Sequence, residues 1–126
     1  MTALDLARSF YRLNNDVPAG RATIPELRAL LADDFVFTGP LMQVRGADAF
    51  MGMLGQFMPF HESVTVTKQF AGVDEVCSIT RLTLKTPAGG RLEVDVAEVL
   101  RVADGKVAAL TIYYDPRGFA AAFPMP

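Results

Sequence analysis

At Glu62 the apolar residues of this 126-residue chain change period, and that change restricts its architecture more than any other feature. Upstream they recur at the three- and four-residue spacing of a helix face. Downstream they alternate, four times over, between clusters of turn residues. Thr2 can cap a first helix that carries Leu6, Phe10 and Leu13 at i, i+4 and i+7, with Tyr11 beside them. Asn14-Asn15-Asp16-Val17-Pro18-Ala19-Gly20 is breaker chemistry and ends it. Thr23 and Glu26 form a capping box around Pro25, which predicts a second helix from Ile24 to about Ala32. Phe35-Val36-Phe37-Thr38 predicts a short strand stopped by Gly39-Pro40. A third helix follows Gly46 and runs to Pro59, with Phe50, Met53, Leu54, Phe57 and Met58 on one stripe.

In the second half, Val64, Val66 and Phe70 are expected on one face of a first long strand, turned by Gly72-Val73-Asp74. Val76, Leu82 and Leu84 share a face of the next, which ends at Pro87-Ala88-Gly89-Gly90. Arg91 to Val102 is the third, Ala103-Asp104-Gly105 a hairpin turn, and Lys106 to Asp115 the fourth. One helical turn can follow over Pro116–Phe123. Helices followed by an antiparallel meander make an α+β fold, one domain over residues 1–126, with the helices packed on one face of the sheet.

Side chains alternate across a strand, so the third long strand sorts by parity. Leu92, Val94, Val96, Leu100 and Val102 share one face, and Glu98 is the only charge among them. A bare buried carboxylate costs several kcal/mol, so Glu98 must be paired, neutralised or held at a wet cavity. In an apolar cavity it would be protonated near neutrality and able to donate a hydrogen bond. A structural pair with an arginine is the alternative. Ala108, Leu110, Ile112 and Tyr114 form the matching face of the fourth strand, which would bring a phenol to the same interior.

Hydrophobic residues make up 51% of the chain before its ten glycines are added, against ~45–50% with glycine included in an average domain. The excess calls for an apolar pocket, a hydrophobic subunit interface such as a homodimer's, or both. The longest apolar-rich uncharged run, Ala49 to Phe60, falls short of the ~20 residues of a membrane span. Asp5 and Arg8 interrupt any signal peptide, and the expectation is a soluble cytoplasmic protein. A net charge of −2 leaves no footprint for nucleic acid or an acidic membrane. One Cys and one His exclude an internal disulfide and a Cys/His zinc site. The partner expected is a small apolar or aromatic ligand. Met42, Met51, Met53 and Met58 with Phe50, Phe57 and Phe60 form a soft wall that is core first and cavity lining second. Arg81, Arg91, Glu93 and Asp95 read as a polar outer face with cross-strand ion pairs.

The order of elements resembles the nuclear-transport-factor-2-like superfamily, and within it the SnoaL-like polyketide cyclases and ketosteroid isomerases. The stretches that carry the resemblance are Ala32-Asp33-Asp34-Phe35, Asp95-Val96-Ala97-Glu98-Val99-Leu100-Arg101, Asp104-Gly105-Lys106-Val107 and Tyr113-Tyr114-Asp115. It implies a cystatin-like α+β roll: a curved, mixed or antiparallel sheet wrapped by N-terminal helices into a cone whose mouth holds an apolar ligand, often in a homodimer. It also implies that Tyr11 and a neutral Glu98 form an oxyanion hole. Tyr114, Phe37, Phe50 and Met53 would line the ligand site. The isomerases' catalytic Asp, just before the strand-closing Pro, is Gly39 here, so classical steroid isomerisation is not expected. Asp115 is then a candidate base by its place at the end of the fourth strand. His61, on the join between helix and strand, is expected to be solvated, with a position against the ligand as the alternative. The leading expectation is a cofactor-independent cyclase or isomerase acting on an apolar enolisable substrate. A non-catalytic ligand-binding module, favoured by Gly39, and a purely structural dimerisation domain are the alternatives.

Overall fold

The computed structural model describes residues 1–123. Helix α1 (Ala3–Asp16) starts at a full capping box in which Thr2 and Asp5 satisfy each other's backbone N–H. It buries Leu6, Ala7, Phe10, Tyr11 and Leu13 on one side. Helix α2 (Ile24–Arg28) starts at the expected Thr23–Glu26 box but ends four residues earlier than the sequence reading placed it. Strand β1 (Leu31–Thr38) takes over at once. Leu30-Leu31-Ala32 have good helix propensity, yet the Val107 N–H claims the Leu30 carbonyl at 2.8 Å and Leu31 pairs with Val107. Long-range pairing overrides local preference here. Arg28 secures the join by bonding Asp33, Asp48 and the Leu31 carbonyl.

A short strand β2 (Gln43–Arg45), not foreseen from sequence, returns antiparallel beside β1. Helix α3 (Ala47–Phe57) follows and closes in a 3-10 turn at Met58–Phe60. The meander is β3 (His61–Ala71), β4 (Glu75–Lys85), β5 (Arg91–Ala103) and β6 (Lys106–Tyr113), and α4 (Pro116–Ala122) comes last. The sheet order is β2-β1-β6-β5-β4-β3, with β1 parallel to β6 and every other pair antiparallel. The sheet is curved and stays open. Asp104 and Gly105 both have positive φ, 52° and 72°, which is what the two-residue Ala103–Lys106 hairpin requires.

Register shifts interrupt β3 between His61 and Ser63 and between Val66 and Lys68, β6 at Ala108 opposite Arg101–Val102, and β1 between Leu31 and Val36. Such bulges bend strands and reset parity. That corrects one expectation: Val64 is buried, whereas Phe70 emerges on the opposite face, 61% exposed. β6 also stops two residues short of its expected end, so Asp115 lies beyond the sheet. Among the described residues, no helix is long and apolar enough to cross a membrane.

Candidate functional site

The helices and the inner sheet face enclose a cavity of about 190 Å³ whose wall is largely apolar. Phe37, Phe50 and Met53 all border it, with Phe35 and Phe37 packing on Phe50 at centroid distances of 4.8 and 5.4 Å. An apolar cavity of ~150 Å³ holds a benzene-sized molecule, so this one suits one or two fused rings.

Glu98 stands mid-strand on β5, paired with Ser78 of β4 and Ile112 of β6, and is 9% exposed. Inward neighbours Val94, Val96 and Leu100 are buried around it. No arginine pairs with it; the Thr80 hydroxyl donates to its Oε2 at 2.8 Å. Burial pushes its pKa from 4.5 up to about 7, against the opposing pull of Thr80 and the nearby Tyr11 hydroxyl. With Thr80 occupying Oε2, the proton of the neutral acid belongs on Oε1, free to be donated.

Tyr11 reaches the same region from α1 and is 5% exposed. Burial first, and the Glu98 charge second, push its phenol well above the usual range, so it remains a donor. Its Oη is buried and has no hydrogen-bond partner among the described residues. Ser78 and Glu98 both influence the Tyr11 phenol, but no well-formed hydrogen bond joins either of them to it. A buried orphan hydroxyl costs about 1–3 kcal/mol.

Ser78 and Thr80 are fully buried polar residues that the sequence reading passed over. Their even parity, shared with Val76, Leu82 and Leu84, was the available signal. In the sequence Asn15 shows only as part of a breaker run. It is the penultimate residue of α1, and its amide clamps the Val64 backbone, with 2.8 Å bonds to both N–H and carbonyl. His61 is not a solvated loop residue: it opens β3, is partly buried, and borders the cavity with Nε2 3.0 Å from Asn15 Oδ1. Burial lowers its pKa.

Tyr114 also borders the cavity, 6.2 Å from the ring of Phe119 on α4. Asp115 does not. It caps α4 by accepting from the Arg117 N–H and pairs with the Arg117 guanidinium at 2.6 Å. That pairing holds its carboxyl down at about 2, and it faces a shallow groove between β5 and α4. The strand stops at Tyr113 rather than at Asp115, and Asp115 instead caps the helix that Pro116 starts, which turns it out of the interior. Gly39 lies on the cavity wall, and a Cβ there would come within 3.3 Å of Ile112 and 3.4 Å of Phe37. Among the described residues, no group of three or more His, Cys, Asp or Glu side chains could hold a metal.

A model of the SnoaL-like domain matches residues 8–110, and no curated protein matches in sequence. Solved structures agree over almost the full length. An NTF2-like protein of unknown function from Cytophaga hutchinsonii superposes with TM-score 0.79 at 23% identity, covering 94% of this chain and 95% of that one. A protein provisionally named a SnoaL-like polyketide cyclase, from Jannaschia sp., reaches 0.81 at 16%, covering 98% and 92%. A Catenulispora acidiphila protein with a ketosteroid isomerase-like fold, in complex with trimethylamine, reaches 0.76 at 17%, covering 97% and 94%.

Proposed function

The chain belongs to the SnoaL-like domain family, and from that premise we propose that its cavity binds a small, flat, apolar carbonyl compound and stabilises its enolate, as a cofactor-independent cyclase or isomerase would. The observation that carries this reading is the orphaned Tyr11 hydroxyl beside a Glu98 that holds its proton near neutrality. Two donors in a largely apolar wall, neither held by a well-formed bond to an internal acceptor, suit an oxygen on which negative charge develops. Desolvation makes such bonds stronger than they would be in water. The two carriers come from different elements, α1 and β5, so the pair is held by the core rather than by a loop.

The natural probe is 2-naphthol, a two-ring phenol whose oxygen mimics an enolate. It should bind the wild type, and Tyr11→Phe should weaken it by about tenfold or more, as the loss of one hydrogen bond to a charged oxygen implies. The same substitution removes the orphan hydroxyl, so the unliganded variant should unfold at equal or higher urea. No binding of 2-naphthol to the wild type, or equal affinity in the variant, sinks the assignment.

A non-catalytic binding module on the same fold is favoured by one observation: the isomerases' base position is Gly39, with little room for a larger residue. On that reading 2-naphthol binds and no proton is ever removed from carbon. The outer sheet face supports a further part of the proposal, pairing of two copies. Phe70, Cys77, Val99 and Thr111 form one cross-strand row, and Ile79, Ala97 and Tyr113 the next. This largely apolar band, with Lys68 at its β3 end beside Ile79, lies between the Glu75–Arg101 and Arg81–Asp95 rows. An apolar centre inside rims that each hold both signs is self-complementary under a two-fold axis.

A further inference from the structure

The Tyr11–Glu98 pair can receive charge on an oxygen but takes no proton from carbon. The cavity holds one other group suited to that task. Asn15 follows Tyr11 by four residues on α1, so both lie on one face, about 6 Å apart along the axis. Its Nδ2 donates to the Val64 carbonyl and its Oδ1 accepts from the Val64 N–H. Backbone groups have fixed polarity, so the amide cannot be reversed without losing both bonds. Oδ1 is therefore an acceptor, and His61 Nε2 at 3.0 Å must be the donor. The neutral imidazole consequently carries its hydrogen on Nε2 and presents a lone pair at Nδ1. No described residue hydrogen-bonds that nitrogen, and it is not among the buried polar atoms left without a partner, so it is reached by solvent. The ring borders the same cavity as Tyr11 and Glu98.

We propose that His61, locked in its Nε2–H tautomer by the Asn15 clamp, is the general base of this cavity, acting through Nδ1. The proposal rests on the enolate-binding reading above. In the step, the C–H bond alpha to the carbonyl breaks and its hydrogen goes to Nδ1 as a proton. The electron pair forms the enolate double bond while the carbonyl π pair moves onto oxygen, which accepts from Tyr11 and Glu98. Imidazolium then returns the proton to another carbon or to the oxygen, with no oxidant or reductant required. Asn15 Oδ1 stays bonded to Nε2–H throughout, so it orients the ring and supports the cation without reacting. Asn15 is a positioning residue and His61 the catalytic one.

His61 is the chain's only histidine, so its two nitrogens can be read directly by long-range proton–nitrogen NMR on 15N-labelled protein. At a pH where the ring is neutral, the expected spectrum is protonated Nε2 with unprotonated Nδ1. The opposite tautomer overturns the proposal whatever the activity. The second arm follows hydrogen–deuterium exchange at C1 of 2-tetralone, a flat enolisable ketone, in D2O. The wild type should accelerate it, and His61→Gln should lower the acceleration at least a hundredfold while still binding 2-naphthol. Exchange that is not accelerated in a wild type that binds 2-naphthol, or that survives in His61→Gln, overturns the base. Absence of 2-naphthol binding instead removes the enolate site itself, and the tautomer measurement tells the two failures apart.

Discussion

A carboxyl that titrates near neutrality makes stability depend on pH in the direction opposite to a salt-bridged acid. Glu98 has its pKa raised from 4.5 to about 7 by burial. Between those values the folded protein keeps a proton that the unfolded chain has released. Stability is then highest below about pH 4.5 for this group and falls as pH climbs to about 7, by about 3 kcal/mol at most. Glu98→Gln keeps an acceptor for Thr80 and cannot ionise. Urea unfolding at pH 5 and pH 8 should therefore show the variant gaining on the wild type at the higher pH. An equal difference at both pH values would mean that the carboxyl is not buried in this way. The mismatch of Glu98 with its strand face was legible from parity alone. Thr80 was not singled out, because a lone threonine in a strand is unremarkable until its neighbour across the ladder is known.

At the scale of elements, the C-terminal helix closes one end of the cavity with aromatic rings. Phe119 stacks on Phe123 at 4.9 Å and meets Phe57 at 5.7 Å, while Phe60 meets Phe123 at 5.3 Å. These rings come from α3, the 3-10 turn, α4 and the residue that caps its end. Phe119→Ala should leave the curved sheet intact and weaken 2-naphthol by about tenfold, roughly what the lost apolar area implies. Unchanged affinity, measured by fluorescence titration, would place the ligand away from α4. The sequence reading allowed one helical turn over Pro116–Phe123 and never placed Phe119 against Phe57. Contacts between residues so far apart carry no local pattern. Asp115 is a different case: its role as a cap rests on its neighbours Pro116 and Arg117, and an Asp just before a Pro is a local helix-start signal.

For the whole molecule, the largely apolar band across the outer face, with Lys68 at its β3 edge, is the basis of the proposed pairing of two copies. Light scattering during size exclusion should give twice the 13.7 kDa chain mass. Phe70→Lys combined with Tyr113→Glu, both at exposed positions, should yield a monomer that still binds 2-naphthol. A wild type that runs as a monomer, or a double variant that stays dimeric, would assign the band another role. Phe70 reaches this face only because β3 carries a bulge after Val66. Strict alternation had put it inside with Val64.

Local chemistry was enough to specify most of the architecture. Capping boxes at Thr2 and Thr23, the change of period at Glu62 and the Asp104-Gly105 turn each act over a few residues, so they can be read in order along the chain. The anomalous acid at Glu98 was visible in the same way, because one strand's alternation is a local property. Only the tertiary structure decided that α2 yields to β1 at Leu31, that Phe119 of α4 meets Phe57 of α3, and that Asn15 of α1 meets His61 of β3. Those outcomes depend on groups from distant segments meeting, and no short stretch of sequence contains both partners.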